Sequence, residues 1–178
     1  MINNCKRTIF SKACFFFGLS VLLVFTSCVR QSDMQTEGAS YLQGVWVQDS
    51  IPNQNEMMDY TLHEFTFTCD SIYTKMHNVS KVQRMVDSCY QDGKWSEYAQ
   101  GVYVVRGDSI LAEGIYTREN GKQKISGCYK IGQYLPRFKI ASYSKDSLVL
   151  ENRFDQRPIV LRKVKDIVCV PKKRWEMN

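Results

Sequence analysis

The sequence predicts an all-β domain of roughly eight to ten short antiparallel strands, closed as a barrel or stacked as a sandwich. Three observations carry this expectation. Tyr60–Cys69 alternates strictly, with His63, Phe65, Phe67 and Cys69 on one face and Leu62, Glu64, Thr66 and Thr68 on the other. Turn dipeptides separate the apolar runs at intervals of about 8 to 12 residues. No stretch after residue 40 holds a helical period.

The chain opens differently. Lys6, Arg7 and Lys12 precede the 13-residue apolar run Ala13–Phe25, which only Gly18 and Ser20 interrupt. A run of that length is short for a membrane span, which needs about 20 residues, and suits the apolar region of a secretory signal. It ends in Phe25-Thr26-Ser27-Cys28, which resembles the lipobox of bacterial lipoproteins, with Phe25 where Leu is usual. Residues 1–27 are therefore expected to be a signal peptide and Cys28 to be the acylated residue. Several acyl chains on one Cys, at about 0.8 kcal/mol per buried methylene, make a stable anchor. Val29–Ser40 lacks apolar periodicity and reads, with Cys28, as a flexible tether over 28–40.

Composition limits the partners. Removing the first 27 of 178 residues leaves 151, with 21 basic against 18 acidic side chains, a net charge of +3. That balance excludes a nucleic-acid partner held by a concentrated cationic face. A chain of about 150 residues buries enough surface for one stable domain, expected over 41–170, with a basic tail at 171–178. Lys172, Lys173, Arg174 and Trp175 in that tail are either a frayed terminus or a cluster that docks at anionic headgroups.

Seven cysteines less Cys5 and Cys14 in the signal, and less Cys28, leave Cys69, Cys89, Cys128 and Cys169. In an oxidising compartment an even remainder permits two disulfides, with three possible connectivities. Four buried thiols are the alternative. None of the four falls in a C-x-x-C pair, and His63 and His77 stand far apart, so neither a metal site nor a cofactor is expected.

The remaining elements follow in chain order. Asp92-Gly93 is expected to close a two-residue hairpin with Tyr90 facing Trp95, because a type I′ turn needs positive φ at both positions. Gly101–Arg106, the turn Gly107-Asp108 and Ser109–Tyr116 form a second hairpin. Asn120-Gly121 leads into a strand over Gln123–Ile131, where Ile125, Tyr129 and Ile131 alternate with Lys124, Ser126 and Lys130. Arg137–Tyr143, the turn Ser144-Lys145-Asp146, Ser147–Asn152 and Pro158–Val164 complete the pattern.

Gly44-Val45-Trp46, Phe65-Thr66-Phe67, Gly101-Val102-Tyr103 leading into Gly107-Asp108, and Asp146-Ser147-Leu148-Val149-Leu150 together resemble the lipocalin-like lipoproteins of Bacteroidales-type bacteria. The resemblance spans most of Tyr41–Val164 and implies an up-and-down barrel of the calycin kind. It also implies that Gly44 and Trp46 close one barrel end, with Arg157 or Arg162 stacked on the indole. A desolvated guanidinium on a Trp face gains about 2 kcal/mol. The loop Ile51–Asp59, with Met57 and Met58, corresponds to the one that folds over a lipocalin mouth, and methionines adapt to irregular apolar ligands. Small lipoproteins of this appearance sometimes carry a fumarate hydratase label, but this chain lacks the G-S-S-x-M-P-x-K-x-N signature.

An eight-stranded barrel either fills with side chains or holds one small ligand. The candidate ligand residues are Met57, Met58, His63, Phe65, Phe67, Tyr103 and Tyr129. No G-x-S-x-G, H-E-x-x-H or Gly-rich phosphate loop occurs, so no catalytic residue is assigned. The leading expectation is a non-enzymatic, lipid-anchored protein of the outer membrane that binds a small apolar or amphipathic molecule. The rivals are an interaction or inhibitor module with a filled core, and an enzyme working at the barrel mouth.

Overall fold

The computed structural model describes residues 34–84, 86–152 and 155–176; residues 1–27, expected to be a signal peptide, and Cys28 lie outside them. Nine strands form one antiparallel sheet: β1 Gly44–Val47, β2 Asp59–Thr68, β3 Ser71–Ser80, β4 Lys94–Arg106, β5 Ser109–Thr117, β6 Gln133–Tyr134, β7 Arg137–Tyr143, β8 Ser147–Asn152 and β9 Asp155–Lys165. The sheet closes through β4–β5, so that eight strands make a ring in the order β1, β2, β3, β4, β5, β7, β8, β9 and back to β1. The short β6 pairs with β5 alongside that ring, Gly114 opposite Tyr134. The fold is thus a closed, antiparallel up-and-down barrel, which leaves no long sheet edge to aggregate.

The alternation in β2 fixes which side faces inward. Phe65 and Phe67 are fully buried, and the register sets Trp46 opposite Phe65 and Gly44 opposite Phe67. Leu42, Trp46, Phe67, Ile72, Tyr103, Ile110, Leu148 and Leu161 extend this core to the barrel end where β1, β5 and β8 begin. Phe67 and Tyr103 meet edge to face at 5.0 Å, as do Phe65 and Phe138 at 5.4 Å, an arrangement that suits the ring quadrupoles.

Two segments cap that end. Residues 34–40, expected to belong to the tether, lie against the barrel: the buried Gln35 donates to Ser71 Oγ at 2.8 Å, and the Thr36 N–H donates to Asp70 at 2.8 Å. The turn Ser40–Leu42 then drops Leu42 into the core. Below it, Gln43 donates to the Cys69 carbonyl (2.9 Å) and the Tyr103 hydroxyl (3.1 Å), and its side-chain oxygen accepts from Cys69 N (2.6 Å). From the other terminus the tail arrives through the Cys69–Cys169 disulfide and an Arg174–Asp70 ion pair of 2.9 Å.

Further sequence expectations need correction. Asp92 and Gly93 do take positive φ (55° and 77°), but a helical turn, Asp87–Tyr90, precedes them instead of a strand. Trp95 therefore pairs with Asn78 of β3 and not with Tyr90. Within 123–131 only an isolated Thr117–Gln123 bridge forms, and Ile125 is 74% exposed. That segment is a loop, held by the Cys89–Cys128 disulfide to the helical turn. Finally, β3 was not anticipated, and the strand expected to leave the turn at Lys94-Trp95 runs unbroken through Gly101–Arg106 as β4.

Candidate functional site

Trp46 is 1% exposed, and its indole N–H donates to the Leu42 carbonyl at 2.7 Å. The cation on its face is Lys163, with Nζ 4.8 Å from the ring centroid, and neither Arg157 nor Arg162. The strand period explains the difference. Ile159, Leu161 and Lys163 of β9 point inward and Lys163 is the register partner of Trp46, whereas Arg162 faces out and forms a two-bonded pair with Asp49 at 2.9 Å. That pairing, chiefly its hydrogen bonds, holds Asp49 below the usual carboxylate range. Gly44 fits the same corner because its φ is +140° and an added Cβ would lie 2.6 Å from the Lys165 carbonyl oxygen.

With one end plugged, the interior opens towards the other, among the starts of β2, β4 and β9 and the ends of β3 and β8. A cavity of about 500 Å³ lies there. Buried Met76 and Ile159 give it an apolar floor. Trp95 and Tyr129 give it a wall, their rings parallel within 5° and 4.0 Å apart. Asp59, Arg84, Lys130 and Arg157 ring the opening, with Arg84 and Asp59 paired. The structure thus joins a greasy base, a flat aromatic side and a charged rim, the composition of small-molecule sites generally.

His63 stands in this cavity with a defined proton. Gln48 is 5% exposed, and its side-chain oxygen accepts from the His63 backbone N–H at 3.2 Å, which fixes the amide's orientation. The same oxygen lies 3.2 Å from His63 Nδ1, so Nδ1 carries a hydrogen and Nε2 is the acceptor in the neutral ring. Tyr129 donates its hydroxyl to the Cys89 carbonyl. Desolvation first, then Glu97 and Tyr90, hold that hydroxyl above the ordinary tyrosine range. Glu97, 3% exposed, faces inward and is engaged by Lys124 at 3.0 and 3.2 Å. Among the described residues no group of three or more His, Cys, Asp or Glu is placed to hold a metal ion.

The structure divides the expected ligand residues. His63 and Tyr129 line the cavity. Phe65, Phe67 and Tyr103 belong to the packed core at the closed end, and Tyr103 is occupied in accepting hydrogen bonds from Ala39 N and Gln43. Met57 and Met58 do not line the cavity: the Met57 sulfur accepts from Arg157, and Met58 is 55% exposed. Arg157, expected on the Trp46 ring, stands instead at the opening. Sequence reasoning missed Trp95, Met76, Asn78, Asp59 and Arg84 as site residues. For Trp95 the signal was present, a lone indole just after a positive-φ turn, but it was assigned to a hairpin that does not form. A second concavity, about 690 Å³, lies on the outer side of β9 beside Val160 and Arg162.

Compared with protein families, with curated proteins and with solved structures, the chain matches none.

Proposed function

We propose that the protein is a lipid-anchored, lipocalin-like protein of the bacterial outer membrane that binds one small apolar or amphipathic molecule in its barrel mouth, without converting it. The reading rests above all on the asymmetry of the interior: a filled, capped end and an open cavity of about 500 Å³ at the other. That volume falls within the range of roughly 300 to 1,000 Å³ typical of small-molecule sites. The parallel Trp95–Tyr129 pair favours a ligand with a flat or extended apolar body, laid over Met76 and Ile159. The charged rim favours a polar end directed outward. The lipobox-like Phe25-Thr26-Ser27-Cys28 supports the anchor.

Native mass spectrometry of the protein purified from its own host tests the reading, with a retained small molecule at one per chain as the expected result. An anilinonaphthalene sulfonate dye, with apolar rings and one anionic group, serves as a second probe. It should bind one to one, and Trp95→Ala should weaken it about 10-fold, for a lost aromatic contact of about 1 to 1.5 kcal/mol, with the barrel still folded by circular dichroism. An empty chain from the host together with no saturable dye binding would overturn ligand binding.

A further inference from the structure

The tail, expected either to fray or to dock, is fixed at successive points. Cys169 is bonded to Cys69, the Lys172 N–H donates to the Gln35 side-chain oxygen at 3.1 Å, and Gln35 N–H donates to the Lys172 carbonyl at 2.9 Å. Lys173 bridges to Met34, and Arg174 holds the buried Asp70. A segment tied this closely nevertheless turns its apolar side chains outward. Val168 is 85% exposed, Val170 68% and Trp175 60%. Lys165, Lys172 and Lys173 are exposed on the same segment, and Lys173 Nζ lies 5.2 Å from the Trp175 ring centroid. Nearby acids are largely engaged: Asp166 by Lys163, Asp70 by Arg174. Glu37 and Glu176 are the others in these two segments, so the cations prevail.

An exposed indole flanked by aliphatic side chains and lysines has the chemistry of the membrane interface, where Trp sits at headgroup depth and lysines meet anionic headgroups. We propose that this face of the closed end docks on an anionic lipid layer and directs the barrel mouth away from the membrane. The length of chain before the barrel argues for a lipid occupant over a protein. Cys28 stands six residues before Met34, and six residues reach at most about 20 Å. An acylated Cys28 would therefore keep the segment paired with Lys173 close to the bilayer. In this respect the proposal rests on the anchor reading.

The test uses the full chain, processed by its own host, with phosphatidylcholine vesicles that contain or lack phosphatidylglycerol and carry brominated acyl chains, which quench tryptophan on contact. Flotation with the vesicles in high salt reports the anchor, because salt screens electrostatic docking. The emission lost on comparing wild type with Trp175→Phe reports the docking face. In phosphatidylglycerol vesicles Trp175 should lose roughly half its emission, as an indole at headgroup depth would. Lys172→Glu/Lys173→Glu should abolish most of that loss while leaving the melting temperature unchanged. Flotation without quenching of Trp175 overturns the docking and leaves the anchor standing. Quenching without flotation supports the docking and removes the anchor. Quenching confined to Trp95, or neither signal, overturns the orientation.

Discussion

Gly44 and Tyr103 show how much of the barrel's closed end depends on single atoms. At Gly44 the backbone turns through φ +140° within reach of the Lys165 carbonyl, so a methyl group has neither the conformation nor the room. Gly44→Ala should cost about 1 to 3 kcal/mol in urea unfolding. Tyr103 is 2% exposed, and burial above all pushes its hydroxyl up to about 12. Because the folded state keeps the proton more tightly than the unfolded one, this contribution is complete below pH 10 and is lost as the pH rises from 10 towards 12. The fall amounts to about 2 to 3 kcal/mol. Tyr134, also raised by burial, adds to the same decline. Tyr103→Phe should therefore reduce the fall without removing it, as denaturant melts at pH 9 and pH 11 would measure.

Turns and loops decide which parts of the wall are permanent. The hairpin at Gly107-Asp108 was legible because Gly107, at φ 60°, satisfies the positive φ its turn requires. The β2–β3 turn was not. Cys69 takes φ 51° without being Gly, Asn or Asp, and the cost is offset by the Gln43 hydrogen bonds and the Cys169 disulfide, neither of which is visible locally. The loop between β5 and β6 has little sheet pairing, only the Thr117–Gln123 bridge, yet it supplies Tyr129 to the cavity wall. The Cys89–Cys128 disulfide joins it to the helical turn. Cys89→Ser/Cys128→Ser should accelerate amide hydrogen exchange across residues 118–132 while leaving β2, β3, β8 and β9 protected. Uniform acceleration of all strands would show instead that this disulfide supports the whole barrel.

At the scale of the whole molecule, the Cys69–Cys169 disulfide spans a sequence separation of 100 and ties the first hairpin to the tail. Removing it releases a long loop in the unfolded chain, and Cys69→Ala/Cys169→Ala should lower stability by about 2 to 5 kcal/mol, or the melting temperature by about 5 to 20 °C. The covalent and polar ties at the closed end set the pattern for the entire fold: one end is built to hold still, and the interior at the other is left unfilled. The proposed ligand site and the proposed membrane face lie at opposite ends as a result.

Sequence alone determined the all-β class, the strands β2, β5, β7, β8 and β9, the burial of Trp46, and the availability of four cysteines for two bridges. Those readings succeeded where one face of a strand meets packed core and the other meets water, since that contrast is what a period of two records. It failed at β3, and at joining Lys94-Trp95 to Gly101–Arg106 as the single strand β4. Their inward residues mix polar with apolar, with Thr74, Asn78 and Ser80 beside Ile72 and Met76, and Glu97 between Trp95 and Ala99, as the interior changes from core to cavity. A strand that lines a cavity of mixed polarity has no uniformly hydrophobic face to display. Tertiary structure therefore decided the cysteine pairing, the choice of Lys163 over either arginine, and the place of the cavity, because each depends on residues brought together from strands distant in the chain.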